Sequence, residues 1–216
     1  MKVLQCWDDG VVSDVRLADL LRRQRAKATF CLNPGLYQDT RSFGWLAEGR
    51  EIWRLGHAEL KSVYDGFEIC CHSMTHPYLT SLTSSQLDWE IKASKDLLEK
   101  IFSKHVSGFC YPFNDYNDSV LAAVRAAGYL WARGGKEEAH IFPPADPLAF
   151  SPSCHFLDPA FWGKYDRAKE RSDVFFFWGH SYELHSEDMW IDFERRIEKI
   201  SSDDAVEWSF VGDLFV

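Results

Sequence analysis

The sequence predicts an α/β protein, with about seven mostly parallel strands and covering helices in one domain over residues 1–216. Three observations predict it. Short apolar runs alternate with helically spaced segments along the whole chain. A chain of 216 residues suits one domain and can bury a real core without disulfides. Acids and histidines recur just past the strand runs, where ligands bind in parallel α/β sheets. This pattern is compatible with an open sheet or with a small, irregular barrel.

Residues 2–7 form the first strand run and end in Asp8-Asp9-Gly10. Ser13 opens a helix with Val15, Leu17, Leu20 and Leu21 at roughly helical spacing. Residues 28–32 are a strand closed by Asn33-Pro34-Gly35. Residues 45–55 are read as a helix, and 67–72 as a strand. A long helix covers 84–104, with Leu87, Ile91, Leu97, Leu98 and Ile101 on one side. Residues 106–111 are a strand stopped by Pro112. Asn117 and Asp118 cap a helix that Gly128 ends, and 129–132 is a short strand. The stretch 134–152, rich in Gly and Pro, is expected to be a loop over the cleft. A helix over 158–170, a buried strand over 173–178, a helix over 187–200 and a strand over 206–211 complete the chain.

Composition narrows the function. The net charge of −9, with no basic run, argues against a nucleic-acid partner. No stretch of about 18 apolar residues exists, so no membrane span is expected. The N-terminal apolar run is too short for a signal peptide. The six cysteines lack a disulfide-framework spacing, and several sit in apolar runs. Together these point to a reducing cytoplasm. Aromatics make up 15% of the chain, enough to fill a core and still line a sugar-binding cleft.

Three clusters can carry chemistry. Asp8-Asp9 ends a strand, where two adjacent carboxylates repel unless something offsets them; a plain acidic turn is the alternative. His72 and His76 are spaced i, i+4, so on a helical turn both could chelate one ion; two unrelated loop histidines are the alternative. Two imidazoles and a carboxylate suit a divalent first-row metal. His180 follows the very apolar run Val174-Phe175-Phe176-Phe177-Trp178 and is either a core histidine or a cleft residue. His57, His105, His140, His155 and His185 have no supporting spacing. Asp115 and Glu183 flank motifs and are expected outside direct contact with the reacting groups.

In this order and spacing, Trp7-Asp8-Asp9-Gly10, His72-Ser73-Met74-Thr75-His76, Tyr111-Pro112-Phe113 and the strand ending in His180 resemble the polysaccharide deacetylase (NodB-homology) family over essentially the whole chain. The resemblance implies a distorted (β/α) barrel and a hydrolase that removes N-acetyl groups from a sugar or glycan. It implies Asp8 as catalytic base, and Asp9, His72 and His76 as ligands of one divalent ion. Zinc is expected, with cobalt, nickel or manganese as alternatives. It implies His180 as general acid and the Phe113 N–H as an oxyanion donor. Many members have an arginine two residues before the motif proline, where this chain has Cys110. Arg133, after the Gly128-Tyr129 strand, fits an alternative placement, so it is expected beside Asp8. Asn114 stands where glycine is common. Trp162, Trp178 and the 134–152 stretch are expected to shape specificity. Two other functions remain open: hydrolysis of a cyclic ureide, imide or other small amide on the same fold, and a catalytically silent sugar-binding domain.

Overall fold

The structure, a computed structural model, describes residues 1–134, 142–171 and 173–215. The chain opens with β1 (Lys2–Asp8), α1 (Asp14–Arg23) and β2 (Thr29–Leu32). A two-stranded excursion follows, β3 (Ser42–Ala47) and β4 (Arg50–Arg54), then α2 (His57–Val63) and β5 (Glu68–Cys71). Next come α3 (Ser84–Asp88), α4 (Ser94–Phe102), β6 (Gly108–Cys110), α5 (Asp118–Ala126) and β7 (Trp131–Arg133). The last elements are β8 (Cys154–His155), α6 (Phe161–Glu170), β9 (Val174–Gly179), α7 (Glu187–Ser201) and β10 (Glu207–Trp208).

One curled parallel sheet runs in the order β7-β6-β5-β2-β1-β9-β8, and β10 pairs with the first residues of β1. The segment leading into β8 links its two edges. Phe150 N–H donates to Ala132 O at 3.2 Å on the β7 side, and Ser153 N–H donates to Phe176 O at 2.6 Å on the β9 side. The expected irregular barrel is therefore present as a curled half-barrel. The described residues 142–152 bridge the sheet edges, and none of them lines the cavity that holds Asp8 and His72. Residues 135–141, with His140, lie outside the described residues.

Strand alternation divides the core in two. Val3, Trp7, Phe30, Leu32, Ile69, Phe109, Phe175 and Phe177 point outward and pack under the helices. Leu4, Cys6, Cys31, Cys70, Cys110, Trp131 and Phe176 fill the barrel interior. Gly108 has a steric cause, since a Cβ there would lie 2.0 Å from the Trp131 ring. The next inward-facing residues are Asp8, His72, Arg133 and Trp178, with His180 one step further, at or just past the C-terminal ends of β1, β5, β7 and β9.

Two local expectations fail. Residues 45–55 are not a helix but most of the antiparallel β3–β4 hairpin, with Ala47 opposite Arg50. Its two-residue turn, Glu48-Gly49, has φ of 50° and 78°, which matches strand twist. Phe43, Trp45, Ile52 and Trp53 favour a pleated surface over a helix. The 84–104 helix is interrupted by a π-turn over Trp89–Ala93. That turn presents Glu90 to the loop carrying His72 and His76.

Candidate active site

β1 ends inside a cavity of about 560 Å³. Asp8 faces it through ordinary alternation. Asp9 would face outward if the strand continued, but Asp9 and Gly10 adopt φ of 78° and 63°. This left-handed turn brings both carboxylates to the same cavity. Gly10 is needed there, because a Cβ would lie 1.7 Å from Tyr37 Oη.

His72 and His76 do meet, but not on a helical turn. Ser73 and His76 both have positive φ, and the loop brings the two imidazole centroids within 4.7 Å. The loop is held at several points. Ser73 Oγ accepts from His76 N–H at 2.9 Å. Glu90 accepts from Thr75 N–H at 2.9 Å and from Thr75 Oγ at 2.5 Å. Asn33 donates to the His72 carbonyl.

Asp9 Oδ1 lies 3.8 Å from His72 Nε2 and 3.6 Å from His76 Nε2. One ligand atom from each of the three residues falls within 4.8 Å of the others. His72 Nδ1 lies 2.8 Å from Cys110 O, so it must carry the proton. That leaves the Nε2 lone pair pointing at Asp9. Burial lowers the pKa of both histidines and favours neutral, ligating imidazoles. The donor set fits a divalent ion.

Asp8 is paired with Arg133, and both are buried. Burial pushes the Asp8 carboxyl up to about 6, against the pull of the Arg133 charge. Arg133 thus occupies the place expected for it. Cys110 Sγ sits 3.8 Å from the other Asp8 oxygen.

On the opposite wall, His180 Nε2 is 3.8 Å from Asp9 Oδ2. Its backbone N–H donates to Glu183 Oε2 at 2.8 Å, and its Nδ1 lies 3.2 Å from the same oxygen. His155 Nε2 reaches that oxygen at 3.0 Å. His155 Nδ1 accepts from Leu157 N–H at 3.2 Å, so the His155 proton is on Nε2 and is donated to Glu183. Burial alone would lower the His180 pKa. The Glu183 hydrogen bond and the charges of Asp9 and Asp8 outweigh it and raise the pKa to about 9. Burial likewise opposes ionisation of Glu183, but its two histidine partners hold it at about 2.

Phe113, with φ of 55°, lies at the cavity rim. Its ring stacks on Tyr78 at 4.2 Å and meets His76 edge-on at 4.5 Å. Trp178 lines the cavity, whereas Trp162 packs on α6 against Tyr165 and Lys199 and does not reach it. Asp115 does not line the cavity and accepts from Thr80 N–H and Oγ at 2.7 and 2.8 Å.

Sequence reasoning missed four residues. Trp45 and Arg54 come from the hairpin read as a helix; Arg54 lies over the Trp45 ring and donates to Asp9 O at 3.0 Å. Tyr182 meets Trp45 edge-on at 5.4 Å. His155 was set aside for lack of spacing and instead supports Glu183. The Glu48-Gly49 pair was the available hairpin signal.

The polysaccharide deacetylase family profile matches residues 1–132, and the chain belongs to that family. Solved structures share its fold. The Streptococcus pyogenes deacetylase PplD, in complex with acetate, superimposes with a TM-score of 0.58 at 23% identity. That match covers 68% of this chain and 62% of PplD, so the chain spans less than two thirds of PplD's length. A family 4 carbohydrate esterase from Bacillus anthracis gives a TM-score of 0.65 at 18% identity, covering 99% of this chain and 81% of its own. The peptidoglycan deacetylase PdaC from Bacillus subtilis gives 0.60 at 15% identity, covering 98% and 88%. No curated protein matches the chain. No described helix is long and apolar enough to cross a membrane.

Proposed function

We propose that this chain is a divalent-metal-dependent deacetylase that hydrolyses an N-acetyl group on a sugar or glycan and releases acetate. One observation carries the reading. The Asp9–His72–His76 ligand set shares one cavity with Asp8, paired with Arg133, and with His180, paired with Glu183, so a base and an acid stand beside the ligand set.

Asp9, His72 and His76 would hold the ion, which when bound supplies Lewis-acid polarisation of the amide carbonyl and a more acidic water. Zinc suits this mixed carboxylate and imidazole set best. Asp8 takes a proton as water adds to the carbonyl carbon. Arg133 orients Asp8 and favours its ionised form at neutral pH. The Phe113 N–H is proposed to donate to the developing oxyanion. His180, kept protonated by Glu183, gives its proton to the departing nitrogen as the C–N bond breaks. The products are acetate and a free amine. Trp45, Trp178 and Tyr182 form walls suited to the C–H face of a sugar ring.

The test compares the parent with Asp9→Ala and His76→Ala. Metal content is measured, and acetate release is followed from N-acetylglucosamine oligomers with added Zn²⁺ or Co²⁺. One ion per parent chain, lost in both variants together with acetate release, supports the reading. Turnover of a cyclic ureide or imide without acetate release would replace it, and a chain that binds no divalent ion refutes the ligand set.

A further inference from the structure

Below the catalytic cavity, the barrel interior holds a layer of thiols that the proposed reaction does not use. Cys6, Cys31, Cys70 and Cys110 all point inward from β1, β2, β5 and β6, and all are free and buried. Cys31 and Cys70 are direct partners across β2 and β5. Cys31 is central: it pairs with Asp8 on one side and Cys70 on the other, and its Sγ lies within 4.8 Å of that of Cys110. The layer touches the catalytic pair at two points. Cys110 Sγ is 3.8 Å from Asp8 Oδ2, and Arg133 Nη2 is 3.8 Å from Cys31 Sγ.

We propose that Cys31, Cys110 and Asp8 form a second metal site, selective for a soft, thiol-seeking divalent cation such as Cd²⁺, whose occupation takes Asp8 out of service as a base. Ligand atoms of these three residues lie within 4.8 Å of one another. A tetrahedral thiolate site with ~2.3 Å bonds has edges of roughly 3.7 Å, so the layer needs to contract by about 1 Å at most. Arg133 occupies Asp8 Oδ1, which leaves Oδ2 for the cation. Charge also balances. Two thiolates and one carboxylate offset a divalent cation and the Arg133 guanidinium, so the buried assembly is neutral. A neutral fourth ligand such as water completes the tetrahedron without changing that balance. Neither cysteine lines the cavity but Asp8 and Arg133 do, so the cation would enter past that pair as the two thiol protons leave. Softness separates the two sites, because sulfur ligands favour Cd²⁺ over the harder divalent ions that an imidazole and carboxylate set accepts.

The test titrates reduced protein with Cd²⁺, following bound metal by equilibrium dialysis and the thiolate-to-cadmium charge-transfer band in the ultraviolet. The parent is expected to bind two ions, with the band growing as the thiol site fills. His76→Ala should keep the full band and lose one ion. Cys110→Ser should keep one ion and lose most of the band. Cys31→Ser should do the same, and Cys110→Ala carries the test if the Cys31 variant fails to fold. A folded parent without the band overturns the proposal. So does a band of parental intensity in the cysteine variants, which would belong to other thiols, Cys6, Cys70, Cys71 or Cys154. The inhibitory consequence rests on the deacetylase reading. Absence of turnover in every variant would count against that reading alone, because the band reports the thiol site without it.

Discussion

Glu183→Gln keeps the shape of the acid's support and removes its charge. In the parent, Glu183 Oε2 takes the backbone N–H of His180, its Nδ1–H and the Nε2–H of His155 at 2.8, 3.2 and 3.0 Å. His180 is 20% exposed at its side chain, so solvent screens this contact only weakly. A hydrogen bond to a charged group contributes about 1.5–3 kcal/mol. At 1.36 kcal/mol per pKa unit, loss of the charge should lower His180 from about 9 by roughly one to two units. The alkaline limb of the kcat profile should move down by the same amount. Rates on that limb should fall ~10- to 100-fold, while rates well below it should nearly match the parent. The measurement is kcat against pH for acetate release by metal-loaded protein. An alkaline limb that stays in place refutes the claim that Glu183 holds the His180 proton.

Stability offers an independent check with a definite sign. His180 has a raised folded pKa, so its contribution is complete below its unfolded value and is lost as pH rises through about 9. The variant should therefore lose less thermal stability than the parent across that window. Glu183 has the opposite sense. Its depressed pKa contributes above the unfolded carboxylate value and is lost as pH falls toward about 2.

Arg133→Met leaves a buried carboxylate without its partner, and the burial that raises Asp8 is then opposed only by the smaller pulls of His72 and His180. The acid limb of the rate profile should shift upward and stability should fall by about 3–5 kcal/mol, read from denaturant unfolding. Glu90→Gln removes the charged acceptor that holds Thr75 in the histidine loop. Metal affinity should drop by roughly 10- to 100-fold in chelator competition, with the fold retained. Gly108→Ala puts a methyl against the Trp131 ring and should cost about 1–3 kcal/mol by thermal unfolding, since neither the strand nor the ring can move freely.

Much of this was legible in the primary structure. β1, β2, β5, β6 and β9 follow apolar runs that no competing pattern obscured, and Asn117 caps α5 by accepting from Val120 N–H at 3.1 Å. The placement of Arg133 beside Asp8 was legible only through the family resemblance, which offers an arginine after a later strand where Cys110 replaces the usual one. The hairpin was not. Its Glu48-Gly49 turn is a weaker signal than Asn-Gly, and four large apolar residues in a short window fit a helix face as well as a pleated one. The misreading hid Arg54 and Trp45, and with them one wall of the cavity.

The sequence by itself determined which residues carry charge and lone pairs, how the strands alternate, and that several chemically competent side chains leave strands at the same end. Local period and side-chain chemistry need no partner. The tertiary structure alone decided that Asp9 turns back into the cavity and that the histidines meet through left-handed residues rather than a helical turn. It also decided that His155 stands behind Glu183 and that four cysteines share one layer beneath Asp8. Each of these depends on contacts between segments far apart in the chain, such as Tyr37 against Gly10, Glu90 under Thr75 and β8 against β9. Such contacts exist only once the sheet has curled.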